Sequence, residues 1–163
     1  MWVAIMADEA RPIFRNLERD EIDAVLARNG IGRIAYAMGN QLEIIPVNYV
    51  HRSGWIYGRT TPGGRIERTA DPWWPVAFQV DEIEGPFDWI SGVVKGGLYL
   101  VPPDGTDWER DAWAEGVTAL RSLLPRTLDE DDPAPERNVI FRIAVQEVTG
   151  KQASTRRSSR EPG

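Results

Sequence analysis

The sequence predicts a mainly β protein: a six-stranded antiparallel barrel with one short N-terminal helix and one longer helix near the C-terminus. Two observations predict this fold. Short apolar or alternating runs follow one another closely, and hairpin turn signals such as Gly39-Asn40 and Ser53-Gly54 separate them. Such short links join antiparallel strands. A sandwich or an orthogonal pair of sheets would give the same pattern, so these two alternatives stay open.

Local patterns predict the elements in chain order. Residues 18–29 form the short helix, because Ile22, Val25 and Leu26 share one helical face and Asn29-Gly30 is a stop signal. Apolar alternation bounded by turn residues predicts six strands, at residues 31–37, 42–50, 55–60, 74–81, 89–101 and 138–149. A single helical turn is predicted between the third and fourth strands, at residues 65–70.

The longer helix is predicted over residues 107–124. Thr106 and Glu109 form a capping box before it, and Pro125 ends it. Its apolar stripe predicts core packing, with a partner-binding helix as the alternative. The stripe consists of Trp108, Ala112, Gly116, Val117, Leu120, Leu123 and Leu124. Residues 126–137, with Asp129 to Asp132 among them, are acidic and proline-rich and are predicted as a solvated loop.

These elements predict one domain, at residues 17–151. A flexible arm at residues 1–16 is predicted before it, because the arm has no periodic pattern. Residues 152–163 are polar and arginine-rich and are predicted as a disordered tail.

Composition excludes several classes of function. The chain of 163 residues has no cysteine, which excludes disulfides, thiolate metal sites and a cysteine nucleophile. Because His51 is its one histidine, a zinc site would need three carboxylates as well, and the sequence shows no such spacing. The net charge of −6 argues against nucleic-acid binding. The sequence has no run of about 18 apolar residues, so no membrane span is expected. The N-terminus lacks a signal-peptide pattern, so the cytoplasm is the expected location.

The stretch at residues 41–65 carries the strongest chemical pattern. Two strands and a tight turn lead to Arg59, Thr60 and Thr61, then to Gly63-Gly64 and Arg65. Guanidinium forks, hydroxyls and accessible backbone N–H groups are the donors that a phosphate binds. The alternative is a polar hairpin end on a solvated surface.

Several segments in this order and spacing resemble the flavin-binding split-barrel superfamily of pyridoxamine 5′-phosphate oxidase, in its nitroimidazole-resistance-like branch. The resemblance covers about residues 17–151. Its segments are Gly30-Ile31-Gly32-Arg33-Ile34-Ala35, Ile45-Pro46-Val47-Asn48-Tyr49-Val50, Trp55-Ile56-Tyr57-Gly58-Arg59-Thr60, Gly63-Gly64-Arg65, Asp71-Pro72, Val76-Ala77-Phe78-Gln79-Val80-Asp81-Glu82, Trp89-Ile90-Ser91-Gly92-Val93-Val94-Lys95-Gly96 and Val148-Thr149-Gly150-Lys151.

The resemblance implies a split β-barrel homodimer that holds FMN between its subunits. By that analogy Arg65 binds the FMN phosphate, with Arg59, Thr60 and Thr61 on the same segment. The strand residues Pro46, Val47 and Asn48 would lie along the flavin ring, and Trp89 and Ser91 would approach it from a later strand. The alternative for Trp89 is a core or interface aromatic, and for Asn48 a strand-end polar group.

The resemblance leaves the reaction open. An oxidoreductase that takes electrons from a nicotinamide cofactor or a small organic substrate is expected, since the chain's side chains offer little redox chemistry. A non-catalytic flavin-binding or interaction module and a deazaflavin-dependent reductase are the alternatives; some related barrels hold haem. The histidine of nitroimidazole-resistance proteins has no counterpart near Gly58-Arg59, and the oxidase's substrate-binding pattern is not evident, so neither activity is expected.

Overall fold

The computed structural model describes residues 11–70 and 72–155 of the chain. Nine strands and three helices form within these residues. Their bounds, in chain order, are β1 Ile13–Asn16, α1 Arg19–Arg28, β2 Ile31–Met38, β3 Gln41–Asn48, β4 Val50–Arg52, β5 Trp55–Thr60, α2 Arg65–Thr69, β6 Trp73–Gly85, β7 Asp88–Leu100, α3 Asp107–Leu123, β8 Val139–Ala144 and β9 Glu147–Ser154.

Every paired strand in the sheet is antiparallel. The order is β3-β2-β6-β7-β8-β5-β4, and β9 branches from β7 and pairs with β1. The two ends of the sheet approach each other where β3 contacts β5, which curls the sheet into an open barrel. The predicted mainly β, antiparallel split-barrel class is confirmed, with a short helix before it and a long helix near its end.

The strand count is nine where six were predicted, and local contacts explain the difference. The predicted strand at residues 42–50 is interrupted at Tyr49, whose backbone N–H donates to the Gly30 carbonyl 3.0 Å away. The predicted last strand is interrupted after Ala144, whose carbonyl accepts from the N–H of Gln146 at 3.1 Å. Each break turns one predicted strand into two, and β1 is the third addition.

Strand β1 lies in the segment predicted as an arm. All four of its residues are exposed, so its sequence carries no alternation that could reveal it. It pairs with the end of β9, and Ile13 stands opposite Ser154. The rest of the predicted arm, residues 1–10, and residues 156–163 of the predicted tail lie outside the described residues.

The core fills the inside of the barrel and a second layer beneath α3. Tyr49 and Phe78 are fully buried inside the barrel with their rings edge to face, and the Tyr49 hydroxyl donates to the Leu26 carbonyl of α1 at 2.7 Å. The α3 helix covers the outer side of β5 and β8 with its predicted stripe. Its buried residues are Ala112, Gly116, Val117, Ala119 and Leu120, which confirms core packing for the middle of the stripe.

In the described part of the chain, part of the outer side of the barrel away from α3 is exposed. Strand registers place alternate residues of β3, β2, β6 and β7 on one surface, which we call the outer sheet face. Its large aliphatic members on β2 and β3 are exposed, with Leu42 84%, Ile31 63% and Ile44 62% exposed, whereas Trp89 on β7 lies against Phe14 of β1 with ring centroids 6.3 Å apart. The outer sheet face includes Ile31, Ala35, Leu42, Ile44, Pro46, Asn48, Ala77, Gln79, Trp89 and Ser91.

Candidate functional site

The predicted phosphate-binding segment is a tight turn between β5 and α2. The N–H of Gly64 donates to the Thr61 carbonyl at 3.1 Å, and Gly63 has a φ of +70°. With Pro62 at the second position and a positive φ at the third, this is a type II turn. The turn geometry by itself therefore accounts for Gly63, independently of any ligand.

Replacing Gly63 by alanine is expected to lower the free energy of unfolding by about 1 kcal/mol, because an L side chain is strained at positive φ. A Cβ at Gly63 would meet no atom within 4 Å, so only the backbone conformation is tested. Gly85 is the matched control: it also has open space around it but no positive φ. Urea denaturation measures both variants, and equal losses would contradict the interpretation.

Arg65 begins α2 and extends into solvent beside the turn. Its side chain is 62% exposed, and its Nη1 donates to Glu43 Oε2 on β3 at 2.6 Å. Nε and Nη2 bind no other described residue, so they remain free to donate to an anion. The carboxylate of Glu67, on the same helix, accepts the N–H of Gly63 at 3.0 Å.

Arg59 lies on the opposite side of its strand from Thr60, because successive side chains alternate along β5. Its Nη1 and Nη2 donate to the two carboxylate oxygens of Asp132 at 2.5 and 3.1 Å, and both side chains are buried. Nη1 also contacts the Arg137 carbonyl at 3.4 Å. The contacts of Arg59 therefore go to the loop after α3, away from the turn.

Asp132 is a buried partner of Arg59 that the sequence pattern does not indicate. Its carboxylate also accepts the backbone N–H groups of Leu128 and Ala134, at 2.8 and 2.9 Å. The hydrogen bond from Arg59 is the largest cause that holds the pKa of Asp132 well below its usual range. The prediction that this residue sits in a solvated loop is wrong. Among four consecutive acidic residues, no sequence signal separates Asp132 from its neighbours.

The predicted ring-binding residues of β3 divide between the two sides of the sheet. Pro46 and Asn48 lie on the outer sheet face, opposite Arg33 and Ile31 of β2. Val47 faces the barrel interior and is 8% exposed. The amide of Asn48 donates to the Gly30 carbonyl at 3.4 Å.

Trp89 and Ser91 lie on the outer sheet face of β7. The Ser91 hydroxyl accepts from the Gln79 amide at 3.1 Å, and the Trp89 indole N–H donates to the Pro86 carbonyl at 3.2 Å. Both residues line an open cleft of about 620 Å³ together with Lys151 of β9. Strands β2 and β6 separate β7 from β3, a distance of about 14 Å at the usual strand spacing. Within one chain, Ser91 is therefore distant from Asn48, although both lie on the outer sheet face.

The remaining chemistry of the described residues is sparse. They contain no group of three or more His, Cys, Asp or Glu side chains that could hold a metal ion. His51 is half-buried on β4, near Asp23 and Arg19 of α1, and burial lowers its pKa. Over residues 11–70 and 72–155, no helix has the length and apolar character needed to cross a membrane.

Comparison with known proteins gives one family and many similar structures. The family model described as pyridoxamine 5′-phosphate oxidase matches residues 18–152. A FAD-binding protein from Mesorhizobium loti is 30% identical, with a TM-score of 0.67 over 87% of this chain and 99% of that one. A candidate 5-nitroimidazole antibiotic resistance protein from Bacteroides thetaiotaomicron has the same fold, with a TM-score of 0.63 at 11% identity over 88% and 89% of the two chains. A Rhizobium meliloti protein is 27% identical over 85% of this chain and 95% of its own length.

Proposed function

The chain belongs to the pyridoxamine 5′-phosphate oxidase family, and from this membership we propose that it binds a flavin nucleotide between two copies of itself and catalyses oxidation–reduction of a small molecule. The observation that carries the proposal is the position of Arg65. It is an exposed cation with free donors, placed beside a tight turn and paired with Glu43 of the edge strand β3. The Mesorhizobium loti protein, which binds FAD, supports a flavin as the ligand.

The residues around the turn suit the phosphate of a flavin nucleotide. Arg65 offers two unbound guanidinium nitrogens, and the exposed Thr61 and half-exposed Thr60 supply hydroxyl donors. Glu43 competes for Arg65, so an arriving phosphate exchanges one ionic partner for another. Arg59 is left out of this set, because its guanidinium is bound to Asp132; it supports the turn by tying β5 to the loop after α3.

The outer sheet face suits the flavin ring. Pro46 offers apolar surface, the Asn48 amide offers a polar group toward a ring edge, and Val47 packs beneath them in the barrel. Trp89 and Ser91 are too far along the sheet to reach the same ring from the same chain. We therefore assign them to the partner copy, whose outer sheet face would lie against this one.

A bound flavin supplies hydride and electron transfer, which none of the side chains near the turn can carry out. The chain's own residues bind the phosphate, orient the ring against β3 and exclude water from it. A nicotinamide cofactor or a small organic molecule is the proposed electron donor. A second candidate is a protein that binds flavin without turnover. It is favoured because Arg33, which stands opposite Pro46, is already paired with Asp81 on the outer sheet face at 3.8 Å.

The homodimer is supported by the apolar surface that the chain leaves uncovered. Ile31, Leu42 and Ile44 are each more than 60% exposed on two neighbouring strands. A cluster of exposed large aliphatic residues on the outer surface of a sheet is typical of an interface. A second copy is the occupant that would also bring Trp89 and Ser91 to the ring.

Replacing Ile44 by aspartate is expected to raise the dimer dissociation constant by about tenfold or more, because it buries a carboxylate in an apolar contact. Sedimentation equilibrium measures the constant. Trp108→Asp is the control, since Trp108 is similarly exposed but lies on α3, away from the outer sheet face. A monomeric parent protein, or equal effects of both variants, would argue against the proposed interface.

The absorbance spectrum of the purified protein tests the function. It is recorded before and after FMN or FAD is added and the protein is desalted. We expect about one flavin per subunit to be retained and to bleach when a reduced nicotinamide is added under anaerobic conditions. Retained flavin that no reductant bleaches favours the non-catalytic candidate. Retention of deazaflavin alone favours the deazaflavin-dependent alternative, and retention of no cofactor contradicts the proposal.

A further inference from the structure

A second cleft, of about 640 Å³, reaches Glu67 of α2, just after the β5–α2 turn. It lies between α2, the segment that follows β7, α3 and the start of β8. Its lining includes Glu67, Leu100, Pro102, Trp113, Asn138 and Val139. Its volume is within the range of about 300–1,000 Å³ that is common for small-molecule sites.

The cleft is continuous with the turn. Glu67 lines the cleft and also accepts the N–H of Gly63 at 3.0 Å. Val139, another lining residue, stands directly opposite Thr60 in the β5–β8 pairing. A group bound beside Thr60 and Arg65 can therefore extend past Glu67 into the cleft.

The chemistry of the cleft suits a nucleoside. Trp113 provides a flat ring for stacking a base, and Leu100 and Val139 add apolar walls. Asn138 is exposed, and its amide makes no hydrogen bond to another described residue, so it can donate to and accept from a base edge. The Glu67 carboxylate accepts hydrogen bonds, as ribose hydroxyls require. None of the described lining residues is Lys or Arg, so the cleft does not suit a phosphate.

We propose that this cleft binds the adenosine part of FAD, with the pyrophosphate at Arg65 and the flavin ring on the outer sheet face. This inference rests on the proposed function and refines it: the chain prefers FAD over FMN. The preference comes from the cleft, since FMN ends at its phosphate and cannot reach Trp113 or Asn138.

Isothermal titration of the full chain with FMN and with FAD tests the proposal. We expect FAD to bind at least tenfold more tightly than FMN. Both Trp113→Ala and Asn138→Ala should reduce that ratio to within about twofold of one, while the dissociation constant of FMN stays unchanged. Trp108→Ala is the matched control, because Trp108 lies on the same helix but outside the cleft. Circular dichroism checks that each variant is folded. If Trp113→Ala unfolds, Asn138→Ala still tests the cleft, because Asn138 is exposed and its replacement should not disturb the fold.

Three results would overturn the inference. If the parent protein binds FMN and FAD equally, the cleft has no role, yet the proposed flavin function stands. If the two cleft variants weaken FMN and FAD by the same factor, the residues act on folding or on the shared part of the flavin. If neither flavin binds the parent protein, the proposed function fails together with the inference.

Discussion

Replacing Asp132 by alanine is expected to lower the free energy of unfolding by about 3–5 kcal/mol, because it leaves the buried guanidinium of Arg59 without its counter-charge. The two side chains are 6% and 1% exposed, so water cannot replace the lost partner. The N–H groups of Leu128 and Ala134 lose their acceptor in the same change. Urea denaturation followed by tryptophan fluorescence measures the loss.

The neighbouring residue provides the control for this variant. Asp131 is also paired with an arginine, Arg126, at 3.5 Å, but it is 76% exposed, so Asp131→Ala should cost about 0–1 kcal/mol. The double replacement Arg59→Met with Asp132→Leu removes both charges and should recover part of the stability. Equal losses for Asp131→Ala and Asp132→Ala would contradict a buried ion pair.

Lowering the pH should reduce the difference in the free energy of unfolding between the parent protein and Asp132→Ala. The folded pKa of Asp132 lies below the unfolded value of about 3.9, so the contribution of the pair is present above that pH and is lost as the pH falls toward the folded pKa. Denaturation at pH 7 and at pH 3 provides the comparison. A difference that grows at pH 3 would mean that the carboxylate has the opposite role.

Replacing Arg65 by alanine is expected to weaken flavin nucleotide binding by about 1–3 kcal/mol, the usual range for a lost charge-assisted hydrogen bond. Removal of Nε and Nη2 takes away the free donors beside the turn, while folding should be preserved because the side chain is 62% exposed. Quenching of flavin fluorescence on binding gives the dissociation constants. An unchanged constant would remove Arg65 from the proposed phosphate site.

Two further variants separate a specific role of Arg65 from a general effect of charge. Arg68 is an exposed arginine on the same short helix, and Arg68→Ala should leave flavin affinity nearly unchanged. Glu43→Gln should raise the affinity, since it removes the carboxylate that competes for Arg65. Equal losses for Arg65→Ala and Arg68→Ala would point to diffuse electrostatics.

Most of the fold could be predicted because its signals are local. The strand at residues 55–60 and the start of α3 were predicted at their observed residues, since a hairpin turn and a capping box mark them in the sequence. Strand β1 could not be predicted this way. Its exposed residues have no pattern, and its partner β9 is more than 130 residues away along the chain.

The residues of the candidate site also differ in whether local sequence reveals their role. The segment of Thr60, Thr61 and Arg65 is contiguous in sequence, so its donor chemistry was visible there. The burial of Arg59 depends on Asp132, which a distant loop brings to it, and strand alternation alone could not reveal which side of β5 that loop covers. The separation of Ser91 from Asn48 depends on strand order, which a hydrophobic pattern does not encode.

The pairing of β1 with β9 has a consequence for the order of folding. The β6–β7 hairpin joins two 13-residue strands through a short turn, so its closure costs little chain entropy and it can form early. Arg15 and Gln152, by contrast, hydrogen-bond across 137 positions of the chain. We expect the edge made by β1 and β9 to close last during folding and to open first in native-state hydrogen exchange, so the Trp89 side of the outer sheet face becomes complete only at the end of the process.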